Sequence, residues 1–387
     1  MASSQGVARL SVAPMMDWTD RHYRFMMRLI TKRTLLFTEM LVDQTLIHQQ
    51  HNLPYFLGHS DADAPLAIQL GGNNVDDLGC ASCPHCMTVW SDSLLTLCGL
   101  NVLPVAAKIC NDYGGFCEIN LNAGCPSAVV SSRCFGARLM LEPERVRDIC
   151  SSMTRQIDSS VPVTVKCRIG VDDHDSYEEL HHFISTVATA GVTHFIVHAR
   201  KCLLKGLSTH ENRTIPPLKY DWVYRLKEDF PDLFFTLNGG VQSIQHAKEL
   251  LDTTNIDGVM IGRAAYNTPW NFRDADRLIF GEETNPNLSR REVVEQYLDY
   301  AEDMQTKWGY LEPCGEHPYI MPTSELMKPL LGSFTGEFGG KAFKRKIADR
   351  FARKDLPKPQ IRELIEEAIT AIPDDVLDAR VEDELLK

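Results

Sequence analysis

PVTVKCRIGVDDHDSYEELHHFISTVATAGVTHFIVHA, Pro162–Ala199, sets two short apolar runs on either side of one longer amphipathic segment. The runs 162–167 and 194–199 are rich in Val, Ile and Phe and read as strands. Between them Tyr177–Ala190 carries apolar residues at helical spacing and reads as a helix. A strand, a helix and a second strand in this order make a right-handed crossover, so the two strands lie parallel.

The same unit recurs in both directions along the chain. Six further runs, 9–13, 35–39, 65–70, 116–121, 233–238 and 257–262, have the same character, and Glu142–Ile157 reads as another intervening helix. Eight such units in about 280 residues predict an α/β fold, a (β/α)8 TIM barrel. An open doubly wound sheet would carry a glycine fingerprint after its first strand, where this chain has APMMDWTDR. In a barrel the chemistry gathers where the strands end. Standing there are Pro14-Met15-Met16-Asp17, Glu39, Gln69, Asn122 with Cys125, Lys166 with Arg168, His198 with Arg200, Asn238-Gly239-Gly240 and Gly262-Arg263.

Two of these ends point to particular chemistry. LNAGCPS (121–127) puts a thiol on a Gly/Pro elbow with an amide three residues before it, whereas a cysteine kept for packing belongs inside the strand, where Cys117 stands. LNGGV (237–241) and IGRAA (261–265) place Gly-rich turns after strands seven and eight. Gly239, Gly240 and Gly262 free backbone N–H groups to face an anion, and Arg263 adds a fixed charge. A phosphorylated cofactor is the favoured ligand there, with a phosphorylated substrate as the other option.

Composition sets the outer limits. The chain has 387 residues, 44% hydrophobic and 24% charged, which suits a soluble globular protein. No apolar run is long enough to span a bilayer and the N-terminus has no signal core, so a cytoplasmic location, an organelle being the alternative, and no membrane partner are expected. Twelve scattered cysteines read as reduced thiols. A net charge of −12 argues against gripping nucleic acid with the whole surface. One local exception is Gly336–Lys358, where Lys341, Lys344 and Arg345 fall on one helical face.

VAPMMDWTDRH (12–22), IQLGG (68–72), INLNAGCPS (119–127), VKCRIG (165–170), FIVHAR (195–200), KGLSTHENRTIPPL (205–218) and DGVMIGRAAY (257–266) together resemble the tRNA-dihydrouridine synthases. GLSTHENRTIPPL is similar to the A-type subfamily, which acts on D-loop uridines 20 and 20a, and the resemblance runs from residue 9 to about 355. It implies an FMN-binding barrel, here 1–285, followed by a small helical tRNA-binding domain, 286–387, in an enzyme that takes electrons from NADPH and acts on tRNA, as a monomer. It implies FMN contacts from Pro14, Met15, Met16, Gln69, Lys166, His198, Asn238, Gly239, Gly240, Gly262 and Arg263. It implies Cys125 as proton donor, Asn122 as a contact to the uridine, and His210 and Arg213 as contacts to tRNA.

The chemistry fits this resemblance. Reducing the uracil C5=C6 bond needs a hydride at C6 and a proton at C5, and a thiol, ordinarily of pKa about 8.5, still holds its proton near neutral pH. Reaching a base inside folded tRNA requires extruding the nucleotide, with the RNA body held through phosphates. Lys341, Lys344 and Arg345 are the expected phosphate contacts; bacterial relatives tend to have arginine at the first two positions, and lysine lacks the bidentate fork. Arg168 and Arg200 would bind tRNA phosphate or pair with a rim carboxylate.

The chain departs from the family at Gly79–Pro104, an insert holding Cys80, Cys83, Cys86 and Cys98 with His85. A zinc site would need a second well-spaced pair, so no metal is expected; a surface excursion or an unspliced stretch of gene fits the insert better. If the insert blocks flavin uptake, the alternative is a catalytically impaired tRNA-binding protein. A barrel reducing a free pyrimidine is a third reading, but would not need the basic helix.

Overall fold

The structure, a computed structural model, describes residues 7–72, 102–127, 130, 135–307, 322–353, 355–357 and 359–380. Eight parallel strands close into a barrel in sequence order. They are β1 (Leu10–Val12), β2 (Leu35–Val42), β3 (Leu66–Gly71), β4 (Glu118–Ala123), β5 (Val163–Arg168), β6 (His194–His198), β7 (Phe234–Asn238) and β8 (Gly258–Ile261). The expected strands are all present, and the helices Pro143–Thr154 and Tyr177–Ala188 lie where the periodicity put them. Ser176 caps the second of these: its hydroxyl accepts from the Glu179 N–H while the Glu179 carboxylate takes the Ser176 N–H.

Both boundaries of β4 differ from the expected run 116–121. β4 runs on through Asn122 and Ala123, because both continue the ladder to β5, with Asn122 opposite Lys166 and Ala123 opposite Cys167. It begins at Glu118, which leaves Cys117 outside the strand and exposed rather than packed. The insert lies almost wholly outside the described residues, as do Cys80, Cys83, His85, Cys86 and Cys98; only Val102–Pro104 fall within a described helix, Val102–Tyr113.

The chain packs as two compact units. One comprises Met40–Gln50 and Ala67–Gly239. Within it β4 alternates strictly: Ile119, Leu121 and Ala123 are apolar, while Glu118, Asn120 and Asn122 are polar, and all are buried. The polar set points into the barrel, since Glu118 reaches His194 on β6 across the intervening β5, at 3.7 Å. The apolar set faces outward to helices such as Pro143–Thr154, which buries Val146, Ile149, Cys150 and Met153.

The other unit comprises Met1–Glu39, His51–Leu66 and Gly240–Lys387. Arg28 is buried there and donates to the carbonyls of Thr31, Thr34, Asp63 and Pro65, each at 3.0 Å, which ties the turn before β2 to the entry of β3. Its C-terminal region is helical. Arg290–Lys307 buries Val293, Val294, Tyr297, Leu298 and Ala301, and Gly340–Ala352 buries Phe343 and Ile347. Among the described residues no helix is long and apolar enough to cross a membrane.

Candidate active site

The elbow after β4 is held from three sides. The Asn122 side-chain oxygen accepts from the backbone N–H groups of both Gly124 and Cys125, each at 2.9 Å. This Asx turn reverses the chain immediately after the strand. The Cys125 carbonyl accepts from Ala137 N–H at 2.9 Å, which brings the 3-10 turn Gly136–Leu141 against the elbow. Gly136 has φ +70°, and a Cβ there would lie 2.7 Å from the Cys125 carbonyl, so glycine is required for this approach. Cys125 itself is half-buried, unlike Cys167 on β5, which is fully buried.

Asn122 therefore does more internally than its expected contact to a base. Both lone pairs of its amide oxygen are used on the elbow, and its NH2 donates to the Gln69 carbonyl oxygen at 2.8 Å. Only the second N–H of that NH2 is left to meet a ligand.

The cations lie beside this elbow. Lys166 stands opposite Asn122 in the β4–β5 register. Burial, with Arg168 adding repulsion, lowers its pKa to about 8. His198 ends β6, and burial followed by the charges of Arg168, Lys166, Arg200 and Arg213 drives its pKa well down. Its imidazole is neutral at physiological pH.

Arg168 is not where a tRNA phosphate would find it. The side chain is 2% exposed, and its guanidinium donates to three backbone carbonyls, those of Gly124 at 2.9 Å and of Lys201 and Asn212 at 3.0 Å. The expectation of a phosphate or carboxylate partner is corrected: the partners are peptide groups, and burial pushes its pKa down to about 10. Arg200 is half-buried and donates to the Pro216 carbonyl. His210 and Arg213 are exposed on the same loop. The loop is built around buried Asn212, whose side chain accepts from Leu203 N–H at 2.8 Å and donates to the Leu203 carbonyl at 2.9 Å.

The glycines after β7 are left-handed, whereas Gly262 after β8 has φ −101°. Gly239 and Gly240 have φ +112° and +77°, and a Cβ on Gly239 would lie 2.7 Å from the His198 ring. Asn238, the last residue of β7, is buried, and its carbonyl accepts from Ala199 N–H at 2.9 Å. In the other unit, Met15 follows β1 in a turn closed by Thr19 and Trp18 N–H groups on its carbonyl, after the half-buried Pro14. A Cβ on Gly262 would sit 3.9 Å from the Met15 sulphur, and Arg263 follows at the start of a short helix. Met16 is exposed, and Trp18 stacks on Tyr266 with ring centroids 4.3 Å apart.

Glu118, Asn120, Thr164 and Asn212 did not enter the reading of the site. A signal for the first two was present in EINLN, where polar residues alternate with apolar ones in a strand buried on both faces. Among the described residues no cluster of His, Cys, Asp or Glu is arranged to hold a metal.

The dihydrouridine synthase (Dus) family matches residues 11–83 and 97–368, and the gap between the two stretches falls inside the insert. The tRNA-dihydrouridine(20/20a) synthase of Vibrio vulnificus is 41% identical over 369 residues, 95% of this chain and 98% of that one. The tRNA-dihydrouridine(20/20a) synthase of Synechocystis is 41% identical over 340 residues, covering 88% of each chain. The old yellow enzyme homologue from Zymomonas mobilis aligns with TM-score 0.46 at 13% identity, over 72% of this chain and 89% of that one. On the extent of the family match and of the two synthases' identity, the chain belongs to the dihydrouridine synthase family.

Proposed function

We propose that this chain reduces uridine to 5,6-dihydrouridine in the D-loop of tRNA, at positions 20 and 20a, using FMN and NADPH. The observation that carries the reading is the elbow: a half-buried thiol fixed at the end of β4 by Asn122, with Lys166 opposite in register. A packing cysteine needs no such turn, and a nucleophilic one would need an adjacent base, which neutral His198 amid cations is poorly suited to provide.

The residues fit an FMN group. Gly239 and Gly240 have the positive φ that turns peptide N–H groups toward an anion, and the space a Cβ would fill at Gly239 is closed by His198. Pro14, Met15, Met16, Gln69, Lys166, His198, Asn238 and Gly262 with Arg263 would complete the holding set. When bound, the flavin supplies the hydride that uracil C6 receives, and NADPH restores it.

The chain's own residues do the rest. Cys125 Sγ–H donates its proton to C5 from the face opposite the hydride, and the elbow fixes the backbone from which that sulphur reaches out. Lys166, mostly protonated below pH 8, would help hold a bound flavin and would stabilise negative charge on it. His198, its pKa driven well down, would be a weak competitor for the thiol proton and would offer a bound flavin a ring N–H. Residues 286–387 would form the tRNA-binding part, with the exposed Lys341, Lys344 and Arg345 on phosphates, and His210 and Arg213 would also touch the RNA.

The test is dihydrouridine mapping on unmodified tRNA incubated with protein, FMN and NADPH. Wild type is expected to reduce positions 20 and 20a, and Cys125→Ala to lose about 10²- to 10⁴-fold in rate. Product at equal rate from the alanine variant removes Cys125 from the reaction. No flavin uptake and no product from wild type would replace the reading with a tRNA-binding protein.

A further inference from the structure

A line of buried polar side chains leads from the Cys125 elbow down into the barrel. Asn122 Nδ2 donates to Gln69 Oε1 at 2.8 Å, and Gln69 Nε2 donates to Asn120 Oδ1 at 2.7 Å. Asn120 Nδ2 donates to Thr164 Oγ1 at 2.7 Å, and Thr164 Oγ1 donates to Glu118 Oε1 at 3.1 Å. The other Glu118 oxygen lies 3.7 Å from His194 Nδ1, whose Nε2 is 2.8 Å from Thr236 Oγ1. All belong to one compact unit, and each of these side chains is at most 9% exposed, so water does not substitute for a missing partner.

The direction of the chain is forced from the top. Gly124 and Cys125 present N–H groups, which only donate, so the Asn122 atom facing them is oxygen. Its NH2 must then face Gln69, which fixes the Gln69 amide, which fixes the Asn120 amide. Thr164, having accepted from Asn120, must donate, and Glu118 supplies the acceptor that ends the line. Reversing Asn122 or Gln69 would set like groups against each other at both ends, and reversing Asn120 would set its NH2 against that of Gln69 and draw the Thr164 hydroxyl away from Glu118. With the bottom acceptor present, every member is satisfied; without it the Thr164 hydroxyl has no acceptor, the cooperative line above it weakens, and the Asn122 amide, its oxygen still facing the elbow N–H groups, is held less firmly.

We infer that Glu118, acting through Thr164, Asn120, Gln69 and Asn122, is a remote positioning residue that keeps the Asn122 amide, and with it the Cys125 elbow, firmly held. It touches no reacting atom. The inference rests on Cys125 being the proton donor only for its effect on turnover; the order of the elbow can be read from the thiol itself.

The experiment uses the full chain and compares Thr164→Val, which removes the relaying hydroxyl at constant shape, with Thr164→Ser, which keeps it. Alkylation of Cys125 by iodoacetamide in the flavin-free protein is followed by mass spectrometry, with exposed Cys117 as the internal reference. Thr164→Val is expected to raise the Cys125/Cys117 rate ratio at least threefold and to lower kcat about tenfold with KM for tRNA within twofold. Thr164→Ser is expected to restore both. An unchanged ratio in the valine variant, or a serine variant as impaired as valine, would overturn the proposal. General loosening would instead move both cysteines together and lower the melting temperature, which also counts against it. If the valine variant does not accumulate, Glu118→Met and Glu118→Gln give the same contrast at the end of the line: methionine ends it with no acceptor, glutamine with a carbonyl oxygen. If wild type turns over no tRNA, the proposed function fails while the alkylation ratio still decides this inference.

Discussion

The Arg168 Nε lies 2.9 Å from the carbonyl oxygen of Gly124, the residue before the candidate proton donor, while one terminal nitrogen of the same guanidinium holds the carbonyls of Lys201 and Asn212. One buried side chain thus joins the Cys125 elbow to the loop that carries His210 and Arg213. A guanidinium suits this place because it presents several N–H donors in a fixed fork and remains charged even when burial lowers its pKa to about 10.

Replacing Arg168 with lysine keeps a charge but loses the fork, so at least one of the three carbonyls is left without its donor. The expected cost is about 2 kcal/mol of stability, since a buried acceptor left unpaired costs roughly 1–3 kcal/mol. The loop should also loosen, with trypsin cutting at exposed Lys205 sooner than in wild type under native conditions. Melting curves and timed digestion check this together. Equal digestion rates would mean that the loop is held by Asn212 alone.

Lys166 gives the pH dependence of flavin binding a definite direction. Its pKa, lowered to about 8 mainly by burial, means that raising the pH through 8 removes the charge. If that charge helps hold the flavin, FMN affinity of the flavin-free protein is constant from pH 7 to 7.5 and weakens by up to tenfold per pH unit above 8. Lys166→Met should bind FMN more weakly at pH 7 and show no such fall. Fluorescence titration at a series of pH values measures it. A flat wild-type profile to pH 9.5 would take Lys166 out of the flavin site.

How far the sequence announced this arrangement depends on which contacts are local. The barrel was legible because each strand is a short run of Val, Ile, Leu or Phe, and the helix between β5 and β6 leaves only a parallel return. The elbow was legible because Asn122, Gly124, Cys125 and Pro126 are neighbours in the chain. The role of Asn122 toward Gln69 was not, since those two residues meet through strand register and lie 53 positions apart. Arg168 was misread for a related reason. An arginine ending a strand reads as a rim charge, and its real partners are backbone carbonyls, which carry no mark in a sequence. The insert after β3 departs from the family pattern in the sequence and lies almost wholly outside the described residues.

Glu39, on β2, makes the stability depend on pH in an unusual sense. Desolvation, reinforced by Asp20, raises its pKa from 4.5 to about 7, although its carboxylate accepts the Asp17 N–H. A carboxyl whose folded pKa is raised binds more protons in the native state, so its favourable contribution is complete below about pH 4.5 and is lost as pH rises through 7. At pH 8 the ionised group opposes folding by roughly 3 kcal/mol. Glu39→Gln, which keeps an acceptor for Asp17, should therefore be more stable than wild type at pH 8, with the advantage shrinking steadily below pH 7. Chemical denaturation of the flavin-free protein at pH 8, 7 and 5.5 checks the trend. An advantage that does not change with pH would mean that Glu39 is already solvated.

The helix Gly340–Ala352 turns Phe343 and Ile347 inward and leaves Lys341, Lys344 and Arg345 exposed within its first two turns. Cations near a helix N-terminus oppose the helix dipole and carry a cost of a few tenths of a kcal/mol each, with no acidic residue in the first turn to offset them. A solvated face would gain nothing from that arrangement, whereas an RNA backbone would meet both the side-chain charges and the positive helix end. Neutralising all three with alanine should lower the slope of log K against log salt for tRNA by about 2, since each phosphate contact contributes roughly 0.7–0.9. Affinity at fixed moderate salt should fall about 10- to 100-fold, while kcat at saturating tRNA stays within twofold because the elbow is untouched. Filter binding across a salt series measures the slope. If the slope is that of wild type, these cations face solvent only, and the search for the RNA surface moves to the loop that carries His210 and Arg213.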